Sequence, residues 1–143
     1  MFKGPIGVML YVSDVRRSVD FYRSLGFGLK GYWDVANRRP SSDWEGPGAP
    51  GYAEVVVADV SVGLLAREQA AAAHPEAVPQ TSVPPSAEHH LQVDDPDAFH
   101  RLLTAKGHKP TEPAETPWGW RMLTLADPDG HRWNFYKPMS GAA

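Results

Sequence analysis

The stretch EHHLQVDDPDAFHRLLTAKG, residues 88–107, decides the fold, because it repeats the pattern of GVMLYVSDVRRSVDFYRSLG, residues 7–26, at an offset of 81. Leu91 answers Leu10, Val93 answers Val12, Asp95 answers Asp14 and Gly107 answers Gly26. Each copy begins with alternation. In the first, Val8, Leu10 and Val12 fall on one face and Gly7, Met9 and Tyr11 on the other, the period of a strand. The spacing then becomes helical, with Val15, Val19, Tyr22 and Leu25 along one stripe. Ser13 or Asp14 caps that helix and Gly26 stops it; Asp95 caps the second, Pro96 takes its first position and Gly107 lies past its end.

The repeat extends outward. FGLKGYWDVA, residues 27–36, is predicted as a strand, and RRPSSDWEGPGAPG, residues 38–51, as a loop rich in Pro, Gly and Ser. YAEVVVADVSVGLLARE, residues 52–68, reads as a hairpin turning near Asp59. In the second copy RMLTLADPDGHRWNFYK, residues 121–137, reads as a hairpin whose turn is DPDG, where Pro fixes φ and Gly accepts a positive one. Each half is therefore strand, helix, strand, strand, strand. The expectation is an α+β chain forming a single domain over residues 1–143. Two tandem βαβββ modules, about 5–67 and about 88–138, flank a linker at about 68–87 in which EQAAAA, residues 68–73, makes one short helix. Two curved half-sheets would form an open, mixed-sheet barrel around a cleft.

Composition narrows the function. The chain has no cysteine, which excludes disulfides, thiolate metal sites and thiol nucleophiles, so any metal must use His, Asp or Glu. A net charge of −3 with no basic run gives no footprint for nucleic acid or an anionic membrane. The N-terminal stretch does not read as a signal peptide and no apolar run is long enough to span a bilayer, so a cytoplasmic protein is expected. Ser41, Ser42, Ser82 and Ser86 lack a GxSxG elbow, and no glycine-rich phosphate loop follows a strand. His100, His108 and His131 are expected at the surface.

The duplicated unit, with VSDVRRSVDFYRSLGF (12–27) and LADPDGHRWNFY (125–136), resembles the vicinal oxygen chelate superfamily of glyoxalases, extradiol dioxygenases and bleomycin-type resistance proteins. The resemblance runs from Ile6 to Tyr136, and TPWGWRMLTLADPDGHRWNFY (116–136) is similar to the C-terminal half of the resistance group, which implies a homodimer whose subunits complete the cleft. In metal-dependent members the resemblance implies ligands on the first strand of each half and on the last strand, positions that fall here on Gly7, Glu88 and Asn134. Glycine has no ligand atom, and a neutral amide is a poor substitute for a carboxylate at a hard divalent ion.

Alternation puts Glu88, His90 and Gln92 on the cleft face and sends His89 to the helix side. Glu88 and His90 are a fallback metal pair. A third ligand is needed, and neither Met9 and Tyr11 nor Arg132, Asn134 and Tyr136 supplies one. The fourth strand, of unknown register, offers only Gly63, Leu64, Leu65 or Ala66. His90 and Gln92 are either exposed strand polars without a role or part of a ligand cleft. Aromatic residues on the same faces support the cleft: Tyr11 and Tyr136, Trp120 with Met122, and one of Tyr32 and Trp33. Trp44 and Trp118, in loops, are read as ligand or subunit contacts, and Trp133 as core.

The expected ligand-binding set is Met9, Tyr11, Trp33, Trp44, Glu88, His90, Gln92, Trp118, Trp120, Met122, Asn134 and Tyr136, with no catalytic residue. The expected function is that of a metal-free, cofactor-free binding protein sequestering a bulky aromatic or bleomycin-type antibiotic, a small-molecule ligand. The alternatives are a lyase, isomerase or dioxygenase using a divalent metal at displaced ligands, and a metal-free enzyme with Glu88 or His90 as general base.

Overall fold

A computed structural model describes residues 1–4, 6–76 and 87–139. Half of the expected linker, residues 77–86 with Ser82 and Ser86, lies outside the described residues. The chain divides into two compact units, Met1–Val83 and Pro84–Ala143.

The first unit contains β1 (Val8–Val12), α1 (Val15–Ser24), β2 (Gly28–Asp34), β3 (Arg39–Ser41), β4 (Pro50–Val57), β5 (Val60–Ala66) and α2 (Arg67–Ala73). Its sheet runs β1-β5-β4-β2-β3, with β1 parallel to β5 and the other pairs antiparallel. Leu10 and Val12 pair with Leu64 and Ala66 across β1 and β5, and Ala53 and Val55 lie opposite Leu64 and Val62. Apart from the half-buried Ala66, all of these are buried on the face covered by α1, whose stripe of Val15, Val19 and Tyr22 is buried as the helical spacing requires. The Asp14 carboxylate caps α1 by accepting from the Arg17 N–H at 3.1 Å. Gly26 ends the helix at φ 107°, where a side chain would be strained.

The second unit repeats the plan with β6 (Glu88–Gln92), α3 (Pro96–Ala105), β7 (Ala114–Glu115), β8 (Trp120–Ala126) and β9 (Arg132–Pro138). Its sheet runs β6-β9-β8-β7, again with the first and last strands parallel. Asp95 accepts from the Ala98 N–H at 3.1 Å, matching the cap in the first unit, and Gly107 has φ 89°. The core under α3 is Leu103, Leu123, Leu125, Trp133 and Phe135. The DPDG turn is held by Asp127, whose Oδ1 accepts from the backbone N–H groups of Asp129 (2.9 Å) and His131 (2.8 Å).

Two mixed sheets with helices make this an α+β fold, as the repeat predicts. Three local expectations change. The segment at 38–51 is not wholly a loop: Arg39–Ser41 forms β3, and Pro50 and Gly51 begin β4. Pro40 is compatible with a strand there because β3 is an edge, with only β2 as its neighbour. In the second unit β7 shrinks to two residues. The three histidines expected at the surface are half-buried, and His100 lies 3.6 Å from the Glu112 carboxylate. No helix among the described residues is long and apolar enough to cross a membrane.

Candidate functional site

The face of the second sheet opposite α3 carries most of the expected site. Parallel pairing of β6 with β9 sets Glu88 beside Arg132, His90 beside Asn134 and Gln92 beside Tyr136. Antiparallel pairing of β8 then sets Met122 beside Tyr136 and Thr124 beside Asn134. Because side chains alternate, these residues and Trp120 emerge on one side. Trp120 stacks on Tyr136 with centroids 4.0 Å apart and planes at 17°. Trp118 meets Trp120 edge to face at 6.1 Å, and the His90 ring lies 5.7 Å from Trp120 and 6.3 Å from Tyr136. Trp118 is 56% exposed, so this aromatic cluster opens to solvent. His89 goes to the opposite side, stacked 4.8 Å from Trp133, as alternation requires.

A polar network lies beside the aromatics. Asn134 is 1% exposed and uses both ends of its amide. Its Oδ1 accepts from the Thr124 hydroxyl at 2.6 Å, and its Nδ2 donates to Glu88 Oε2 at 3.2 Å and faces His90 Nδ1 at 3.4 Å. Glu88 Oε1 also pairs with Arg132 Nε at 3.3 Å.

This donor set does not fit a divalent metal. The carboxylate of Glu88 already has a guanidinium and an amide on it, the Asn134 oxygen is committed to Thr124, and Gly7 offers no donor. Among the described residues no three His, Asp or Glu side chains gather at metal-binding spacing.

The first unit also has an open face opposite α1. The register of β5, which the sequence left open, puts Gly63 beside Met9 and Leu65 beside Tyr11, so neither adds a ligand atom. A Cβ at Gly63 would meet Met9 Sδ at 2.8 Å and the Tyr52 ring at 2.9 Å, so Met9 and Tyr52 close over the glycine. Trp33, 41% exposed, pairs with Tyr52, while its neighbour Tyr32 turns inward. Lys30, Trp33, Pro40, Ser42, Tyr52 and Glu54 line a recess of about 520 Å³, within the usual range for small-molecule sites. The Tyr52 hydroxyl donates to Glu54 Oε1 at 3.2 Å. Burial, and next the Glu54 charge, raise its pKa above the ordinary tyrosine range.

Trp44 does not join either open face. It is 8% exposed, lies 5.4 Å from the Tyr32 ring, and has the Arg16 guanidinium 4.7 Å above it. Arg16 also donates to the carbonyls of Trp44 (2.8 Å) and Gly48 (2.7 Å), which fastens the 42–48 loop to α1. A tryptophan in a Pro/Gly loop is therefore buried by a cation 28 positions earlier in the chain.

Three contributors escaped sequence reasoning. Tyr52 was readable, since Tyr52, Glu54 and Val56 alternate with the buried Ala53 and Val55. Thr124 and Arg132 as partners of Asn134 and Glu88 were not, because only strand register brings them together.

Residues 6–135 match the sequence profile of the Glyoxalase/Bleomycin resistance protein/Dioxygenase superfamily. A search of curated proteins gives no match. Among solved structures, a hypothetical protein, SA1046, from S. aureus is 18% identical with a TM-score of 0.71, each chain being covered to 95%. A glyoxalase/bleomycin resistance protein/dioxygenase from Nocardioides is 23% identical with a TM-score of 0.68, covering 99% of this chain and 89% of its own. A bleomycin-binding protein complexed with bleomycin is 20% identical with a TM-score of 0.63, covering 94% of this chain and 98% of its own. At these identities the structures speak for the fold, and the profile, spanning both βαβ repeats and the final hairpin, speaks for descent. The chain belongs to the glyoxalase/bleomycin resistance protein/dioxygenase superfamily.

Proposed function

We propose that this chain is a small-molecule binding protein that holds a bulky, flat aromatic or bleomycin-type ligand without a metal or other cofactor, and so sequesters an antibiotic. One observation carries the reading: Trp118, Trp120, Tyr136 and His90 form a solvent-open aromatic surface bordered by Glu88 and Gln92. Large aromatic planes with a few polar tips suit flat organic ligands, and sequestration needs affinity alone. The likeness in fold to a bleomycin-binding protein supports the ligand class. The polar groups support the metal-free part, because the Glu88 carboxylate is already held by Arg132 and by the Asn134 amide.

Tryptophan fluorescence tests this directly. Titration with bleomycin-type, mitomycin-type and polycyclic aromatic compounds should give saturable quenching by at least one class, and quenching by none would remove the proposal. The competing reading, a metal-dependent lyase, isomerase or dioxygenase, predicts one nickel, zinc or iron ion bound per chain and lost in His90→Ala. The protein is further proposed to act as a homodimer, since Met9 and Trp33 on one unit and Trp118 on the other leave apolar surface exposed. Light scattering on the eluted peak reads the mass.

A further inference from the structure

The geometry points to His90 as a hydrogen-bond donor of fixed tautomer, and to an aromatic compound carrying a carbonyl oxygen on its rim as the class of ligand. This rests on the binding function proposed above and names what that site selects. The Thr124 hydroxyl donates to Asn134 Oδ1 at 2.6 Å, which turns the NH2 end of the amide toward Glu88 and His90. The opposite orientation would set the amide oxygen against the Glu88 carboxylate, two acceptors 3.2 Å apart. An NH2 group only donates, so the His90 Nδ1 facing it at 3.4 Å presents its lone pair. In a neutral imidazole the proton then sits on Nε2.

His90 is exposed, and Nε2 has no partner among the described residues, so this N–H is available to a guest. A donor at the border of an aromatic surface favours guests with an acceptor at their edge. The Glu88 carboxylate on the same face is paired with Arg132, so no net charge beside the Nε2–H is needed from the guest, and a neutral carbonyl oxygen suffices as the acceptor.

Nitrogen-15 NMR of the labelled protein above about pH 8, where imidazoles are neutral, reads the tautomer. His74, exposed beyond α2, is the internal reference. His90 should hold more of the Nε2–H form than His74. In Asn134→Asp the new carboxylate accepts where the amide donated, so His90 should shift to the Nδ1–H form while His74 stays unchanged. A His90 tautomer ratio equal to that of His74 in the natural protein overturns the assignment even if the variant does not fold.

The ligand class is read with a matched pair, 9-fluorenone and fluorene, titrated into the natural protein and into His90→Phe. Fluorenone should bind about three- to tenfold more tightly, the worth of one net hydrogen bond, and His90→Phe should erase the difference. Equal binding of both probes overturns this inference and leaves the aromatic platform standing. Binding of neither probe counts against the platform itself and takes the inference with it.

Discussion

Asn134→Ala should destabilise the protein by about 2–3 kcal/mol. The Thr124 hydrogen bond contributes about 1 kcal/mol, being neutral and largely shielded. The bond to Glu88 involves a charge, but the Glu88 side chain is 46% exposed, so solvent reduces it to about 1 kcal/mol. Deleting the amide of a side chain buried to 1% exposure leaves space that adds up to about 1 kcal/mol. Urea unfolding followed by circular dichroism is the assay. With an m-value of about 1–3 kcal/mol/M, the midpoint should fall by about 1–2 M with the slope unchanged. Thr124→Val alone should cost about 1 kcal/mol, and combining the two should show a coupling of about that size. A midpoint shift below about 0.3 M, or strict additivity, would refute the view that Asn134 ties β6, β8 and β9 together.

Other perturbations separate stability from binding. Trp118→Ala should change stability by less than about 1 kcal/mol, because the ring is largely exposed, yet weaken binding of a quenching ligand about five- to thirtyfold. Ser18 is fully buried on α1 with no partner for its hydroxyl among the described residues. Ser18→Ala should therefore stabilise the protein by about 1 kcal/mol, raising Tm by about 2–4 °C in calorimetry. Asp34 accepts from the Asn37 side chain and, next, from the Ala49 N–H, which hold its pKa below the ordinary carboxylate value; Arg121 does the same for Asp97. Depressed folded-state values mean stability that is present above about pH 4 and lost as acid protonates these groups below it. Urea midpoints between about pH 6 and 2.5 should show that fall, and Asp34→Asn should lower the plateau and flatten the acid limb.

How far the sequence reached depended on the range of the interactions. Caps, stops and alternation are local, so Asp14, Gly26, Asp95 and Gly107 announced the repeated strand and helix, and the split of His89 from His90 followed from pleating alone. Register is not local. The pairing of Met9 with Gly63, and of Asn134 with His90, comes from strands far apart in the chain, whereas Asn134 and Thr124 face each other across the local DPDG hairpin. Trp44 shows the same limit, since its Pro/Gly surroundings suggested exposure and only Arg16 and Tyr32 explain its burial. β3 was hidden because Arg39, Pro40 and Ser41 have little strand character, and an edge position beside β2 tolerates them.

Calorimetric titration with metal-free bleomycin in the presence of EDTA tests the central claim most directly. Binding should be saturable, unchanged by the chelator and weakened by at least about tenfold in Trp120→Leu. Absence of saturable binding in the chelator, or binding indifferent to Trp120→Leu, would contradict it.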